Sequence, residues 1–325
     1  MLEQNTLKKL TRISLAMLLS LTMLTSCKND NVSQVEDTKS AVENNLSSVV
    51  KQQSTSENKM RKVTDMKGNE VEIPQNVEKI ADLWHANNQV VMLLGGADKL
   101  VATTDVIQKN DWITTIKPQL KDIKAPVSGQ DLNIEELLDT KPDVALTSNE
   151  QMLESANSAG IPAVYVSFQN FDDLKKCVET TAEVIGDDAK KIAKEYNEEL
   201  DENIKFVEDR LKDVKEDQKP KVLHIAGGDD LTKIDGEDSL IGEWMKISGA
   251  TNSIKDAKNL ENITIEEIIS SNPDIIIIGG SNAKEGIESI KNDPAWKDVE
   301  AVKNGKVIQN PVGTFNWDRY SAEEA

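Results

Sequence analysis

The chain has 325 residues, with 38 Lys and Arg against 57 Asp and Glu and a formal charge of −19. At roughly 100–200 residues per domain it has room for two packed lobes and a segment to spare. Its acidity excludes a nucleic-acid partner, which needs a concentrated basic face. Two cysteines cannot build a disulfide framework, and two histidines cannot build a His-rich metal cage.

In chain order, residues 1–27 read as an export signal. Lys8, Lys9 and Arg12 form a positive n-region, and Ile13 to Leu24 is an apolar run of signal length. That run is too short to span a bilayer, which takes roughly 20 apolar residues. It ends in Leu24-Thr25-Ser26-Cys27, which resembles a bacterial lipobox, so Cys27 is the expected lipidation site. Several acyl chains anchor stably, because each buried methylene contributes about 0.8 kcal/mol. Residues 28–60 are polar, lack an apolar period, and are expected to be a disordered tether. Cys177, set among helix-forming residues, is expected as a small buried hydrophobe.

Folded structure is expected from Arg61. The stretch KVTDMKGNEVEIP alternates, turns at Lys67-Gly68-Asn69 and alternates again, as a hairpin does. KIADL and LVATT read as strands, with a helix from Asn87 to Leu94 between them that Gly95-Gly96 closes. An internal echo follows. Residues 134–146 read IEELLDTKPDVAL and residues 265–277 read IEEIISSNPDIII, gap-free and 131 residues apart. Each copy describes a helix that stops before a proline, then a buried strand. That spacing is too long for a solenoid unit and points to two related α/β lobes. Between them, Ile192, Tyr196, Leu200, Ile204, Val207 and Leu211 recur at helical spacing. An uninterrupted helix from Asp187 to Val214 would run about 40 Å. After Pro220, KVLHIAGG opens the second lobe.

Lipobox, hairpin, duplicated Ile-Glu-Glu…Pro-Asp unit and connecting helix together resemble substrate-binding lipoproteins of ABC importers for iron–siderophore, haem and cobalamin. The resemblance covers about residues 61–325, carried by VTDMKGNEVEIP, SLIGEWMKISGATN, NPDIIIIGG and the closing run DPAWKDVEAVKNGKVIQNPVGTFNWDRYSAEEA. It implies an α/β fold of two Rossmann-like lobes joined by one long helix, with a ligand cleft between them. The expected division is a lobe over 61–170, a helical connector over 171–216 and a lobe over 217–325. Relatives continue into a C-terminal helix that this chain, ending at Ala325, would cut short.

The resemblance further implies a monomeric, non-enzymatic carrier, lipid-anchored outside the bacterial membrane. It would hand a ferric chelate, haem, corrinoid or nickel chelate to a permease and its ATPase, with no resident cofactor. Ligand-sensing lipoprotein and enzyme are the alternatives from other classes. No phosphate-binding loop, nucleophile elbow, His-Glu-x-x-His helix or dinucleotide fingerprint is present.

Cargo contacts are expected where strands end at the cleft. Trp84 can pack a flat ligand and His85 can ligate metal or hydrogen-bond a chelate. Phe168 follows a strand of the same lobe, and His224 lies in the corresponding strand of lobe two. Asp230 and Lys233 belong to a Gly-Asp-rich loop, while Trp317, Arg319 and Tyr320 combine a guanidinium with rings. Arginine is scarce, being limited to Arg12, Arg61, Arg210 and Arg319, which favours a neutral or weakly charged cargo over a tris-catecholate. The resemblance also implies one permease-docking glutamate per lobe, matched by Glu150 and Glu243.

Overall fold

The computed structural model describes residues 59–280 and 282–311. Cys27, the export signal, nearly all of the tether, and Trp317, Arg319 and Tyr320 lie outside the described residues. The described residues belong to one compact unit beginning at Asn58.

The hairpin forms first, as β1 (Met60–Thr64) and β2 (Glu70–Pro74), antiparallel. Its turn is built by Asp65, whose carboxylate accepts from the Lys67 and Asn69 amides, while Gly68 takes φ +87°. Lobe one then alternates strand and helix: β3 (Ile80–Asp82), α1 (His85–Leu93), β4 (Leu100–Thr104), the short α2 (Asp105–Gln108) and α3 (Asp111–Ile116), β5 (Lys124–Ser128), β6 (Asp131–Leu132), α4 (Ile134–Thr140), β7 (Val144–Thr147), α5 (Glu150–Ser158) and β8 (Ala163–Tyr165). The sheet order is β6-β5-β4-β3-β7-β8, parallel except for β6. Helices on its faces bury β3 and β7 along their whole length, which is why both lack polar alternation.

The span of the expected helical connector holds two helices, α6 (Phe171–Ile185) and α7 (Asp187–Leu211), the second starting at the expected Asp187. Gly186 separates them at φ +127°, a backbone that a side chain would strain. Helix α6 belongs to lobe one, since Phe171, Leu174, Cys177 and Val178 sit in its core. The strut proper is α7, about 37 Å long at 1.5 Å per residue. The carbonyls ending α6 are held by cations, Val184 by Arg61 at 2.9 Å and Ile185 by Lys99 at 3.2 Å, where the helix dipole favours positive charge.

Lobe two comprises β9 (Lys221–Ile225), β10 (Lys233–Ile234), α8 (Leu240–Ile247), β11 (Thr251–Asn252), β12 (Glu261–Asn262), α9 (Ile265–Ser271), β13 (Ile275–Ile278), α10 (Ala283–Asn292), α11 (Glu300–Lys303) and β14 (Val307–Gln309). Its sheet runs β12-β10-β9-β13-β14, with β11 paired to β9. Helix α8 touches both lobes. Leu240 joins the lobe-one core, while Ile241 and Met245 pack under the lobe-two sheet.

The sequence echo has a structural cause. Asn133 and Thr264 cap α4 and α9 by accepting from the Glu136 and Glu267 amides, and Lys141 and Asn272 end them in the left-handed region at φ 48° and 45°. Each Pro-Asp then locks the neighbouring parallel strand. Asp143 accepts from the Glu78 and Lys79 amides leading into β3, and Asp274 accepts from Lys221, the start of β9, all at 2.8 Å.

One glycine of lobe two is fixed by space. A Cβ on Gly236 would stand 1.9 Å from the Ala257 carbonyl oxygen, where only backbone could yield. Gly236→Ala is therefore expected to destabilise the chain by about 1–3 kcal/mol and to displace the loop entering α8. Urea unfolding checks the first effect, and hydrogen exchange over 237–241 the second.

Candidate functional site

The strands of lobe one deliver two aromatic residues to one place. Trp84 follows β3 and Phe168 follows β8, and their ring centroids lie 4.9 Å apart with planes tilted by 46°. Such a pair adds about 0.5–1.5 kcal/mol beyond its buried area. Opposite them, lobe two presents Ser239, Leu240 and Ile241 at the start of α8, together with Asn259. With Gln169 these residues enclose an interlobe cavity of ≈ 120 Å³, and none of the described residues lining it is ionisable.

Each wall is held from behind. In lobe one, Asp82 is fully buried, accepting from the Trp84 amide at 3.2 Å and from Asn87 Nδ2 at 2.9 Å. Asn87 Oδ1 in turn accepts from Thr181 at 2.9 Å and lies 3.3 Å from the Cys177 sulfur. Asn88 Nδ2 bonds the Asp82 and Trp84 carbonyls at 3.0 Å each, and its Oδ1 accepts from Thr103 at 2.7 Å. Burial, the larger effect, pushes the Asp82 carboxyl well above the usual range; its two hydrogen bonds oppose that shift. Burial also raises the Cys177 thiol, which is inert core. In lobe two, Ser239 Oγ donates to the Gly236 carbonyl at 2.6 Å and accepts from the Gly242 amide at 2.9 Å, while Asp238 accepts from the Asn259 amide.

Of the residues expected to bind cargo, the structure brings Trp84 and Phe168 together. His85 stands beside them, half-buried, as the first residue of α1. No group of three or more metal-ligating side chains occurs among the described residues. His224 is a correction. Its side chain is fully buried within lobe two, and Nδ1 meets the equally buried Asp235 carboxylate at 2.8 Å. Strand β9 lies between β10 and β13 and is buried on both faces from Val222 to Ile225, so a side chain inside it meets packed protein whichever way it alternates. Asp230 and Lys233 are not among the residues lining the ≈ 120 Å³ cavity. Asp230 is exposed and closes a local turn onto Thr232, and Lys233 pairs through its backbone with Asn262 on β12. The lobe-two wall comes instead from Ser239 to Ile241. The signal for it was a serine just before an apolar helical run, the mark of a helix start.

The two glutamates differ. Glu150 is exposed in the first turn of α5 and pairs with Lys67, whose ammonium lies 4.6 Å from the Tyr165 ring centroid. Glu243 is no free surface charge: half-buried, it accepts from the Phe171 amide across the lobes. Desolvation pushes its carboxyl upward, opposed by that hydrogen bond. Among the described residues no helix is long and apolar enough to cross a membrane.

The family model described as Periplasmic binding protein matches residues 80–311. An uncharacterized ABC transporter substrate-binding lipoprotein of Bacillus subtilis (strain 168) is 26% identical over 308 residues, covering 93% of this chain and 90% of that protein. The molybdate-binding protein MolA of Haemophilus influenzae is 25% identical over 283 residues, covering 79% of each. Among solved structures, a nickel–histidine complex of Helicobacter pylori CeuE is 26% identical with a TM-score of 0.64, covering 82% of this chain and 85% of that one. The family match spans both sheets, the strut between them and every described residue lining the interlobe cavity, and on that ground the chain belongs to the periplasmic binding protein family.

Proposed function

We propose that this chain is the substrate-binding component of an ABC importer, lipid-anchored through Cys27 outside the cytoplasmic membrane, and that its cargo is a metal chelate of low net charge. The cavity between the lobes carries this reading: an aromatic pair on one side, neutral polar groups on the other. Rings cover the apolar rim of a chelate, and Gln169 and Asn259 offer side-chain amides to its oxygens. Both arginines among the described residues agree with low charge. Arg61 is bound to the Gln75 and Val184 carbonyls, and Arg210 lies over the Phe206 ring. His85, beside the cavity, is the candidate to reach the metal. Names of relatives support an importer component, a substrate-binding lipoprotein in Bacillus subtilis among them.

A second reading is favoured by size. A volume of ≈ 120 Å³ is small against the roughly 300–1,000 Å³ of drug-sized ligand sites and suits a tetrahedral oxyanion. Helices α1 and α8 both begin at this cavity, with amide dipoles that favour negative charge. MolA, named for binding molybdate, is among the relatives.

Native mass spectrometry decides between them. The full chain meets an equimolar mixture of ferric hydroxamate, ferric catecholate, haem, cobalamin, nickel–histidine and molybdate. One surviving chelate adduct is expected, with Trp84→Ala weakening it at least about tenfold through the lost ring contact. A molybdate adduct alone would favour the second reading. No adduct would sink the carrier reading.

A further inference from the structure

The interlobe space has two compartments. The ≈ 120 Å³ cavity shares Gln169 and Ser239 with a second of ≈ 690 Å³, which takes only Gln169 and Asn170 from lobe one and runs along α8, past Glu243 and Lys246, to Lys219 and Thr251 beside the start of β9. At this shared border the lobes are tied by one carboxylate. Glu243, one turn into α8, accepts from the Phe171 amide at the first position of α6. That amide is one of the helix donors with no intrahelical acceptor. Asn170 already serves the Asp173 amide at 2.7 Å, so α6 draws its second cap from the other lobe. On the two sides of the tie, Phe168 and Gln169 precede α6, and Ser239 to Ile241 begin α8; these are the cavity walls.

We infer that Glu243 is a specificity-determining positioning residue: its interlobe bond to Phe171 divides the interlobe space and sets the size of cargo that binds without penalty. The inference rests on the carrier reading. A small ligand fits the smaller compartment with the tie closed. A bulky chelate needs both compartments, so the tie must break first, and its apparent affinity is reduced by the fraction of chains in the open form. Leu240, Trp244 and Ile247 of the same helix also pack on the lobe-one core, so the carboxylate tie sits beside an apolar contact between the lobes. Around the tie, Asp172, Lys175 and Lys246 are the charged groups that act on Glu243, the first repelling it and the two lysines attracting it.

The test uses the full chain with molybdate and haemin as small and bulky probes. Glu243→Ala should raise the haemin-to-molybdate affinity ratio at least about tenfold. Glu243→Gln keeps a carbonyl acceptor for Phe171 and should hold the ratio within about twofold of wild type. Amide hydrogen exchange at Phe171 reads the tie without any cargo, and should accelerate in the Ala variant but not in Gln. An unchanged ratio in the Ala variant, or a Gln variant that matches it, would overturn the size-setting role. Unchanged exchange at Phe171 would overturn the tie itself. Absence of binding by every chain would remove the size-setting role along with the carrier reading, leaving the exchange result to judge the tie alone.

Discussion

Asp82→Ala is expected to lower the stability of the chain by about 3–5 kcal/mol, as the loss of acceptors for two buried donors. The Trp84 amide and Asn87 Nδ2 each give a hydrogen bond to this carboxyl, in a region with no solvent to replace it. An unsatisfied buried donor costs about 1–3 kcal/mol, and two of them consume a large part of the 5–15 kcal/mol that holds a typical domain folded. The damage also spreads, since Asn87 reaches Thr181 on α6 and Asn88 reaches Thr103 on β4. Trp84 would lose its fixed position, so cargo affinity should fall with stability. Urea unfolding gives the first quantity and isothermal titration the second; a loss under about 1 kcal/mol would show that the network is redundant.

Asp82→Asn separates charge from shape. The folded chain raises this carboxyl above the ordinary value of about 3.9, so the folded state holds the proton more tightly than the unfolded state does. Stability from that proton is complete below about pH 3.9 and is lost as pH climbs towards the raised folded value. Asparagine cannot titrate. Wild type should therefore lose ground against Asp82→Asn as pH rises from about 4, and a parallel pair of stability–pH curves would contradict a protonated Asp82.

Fold and site were legible to different depths. Alternation about Lys67-Gly68-Asn69 located the hairpin, since a turn and a period of two are local properties. The duplicated Ile-Glu-Glu…Pro-Asp unit located both lobes because caps, helix stop and buried strand are written within a dozen residues. Its aspartates were legible only as a pattern. Their purpose, holding Glu78, Lys79 and Lys221, depends on which strand lies alongside, and no local signal states that. The connecting helix was legible from Asp187, where α7 starts, because its apolar residues recur at three and four positions; it ends at Leu211, three residues before Val214. Trp84 and Phe168 were expected at the cleft because each follows a lobe-one strand, and their rings do meet beside the interlobe cavity. The same rule misplaced His224, which lies inside its strand rather than after it. Glu243 was visible as a helix charge, but its bond to Phe171 joins residues 72 apart.

His224 carries the other large expected effect. His224→Leu should cost about 3–5 kcal/mol, because removing one partner of a buried pair leaves the other charge or polar group uncompensated. Both side chains are fully buried and meet at 2.8 Å, and Asp235 also returns its amide to the His224 carbonyl at 3.1 Å. That double tie fixes the first residue of the loop running through Gly236 to Ser239, hence the lobe-two wall. The paired replacement His224→Leu with Asp235→Leu should cost less than the sum of the single changes, since no buried carboxylate remains without its imidazole. A coupling of at least about 1.5 kcal/mol in that cycle is the expected result. Cargo affinity provides the contrast with a ligand role. A histidine that touched cargo would lose affinity at unchanged stability, whereas this one, sealed beneath the wall, should lose stability first and affinity only as the wall loosens. Equal unfolding midpoints for wild type and His224→Leu, with binding abolished, would return His224 to the cleft.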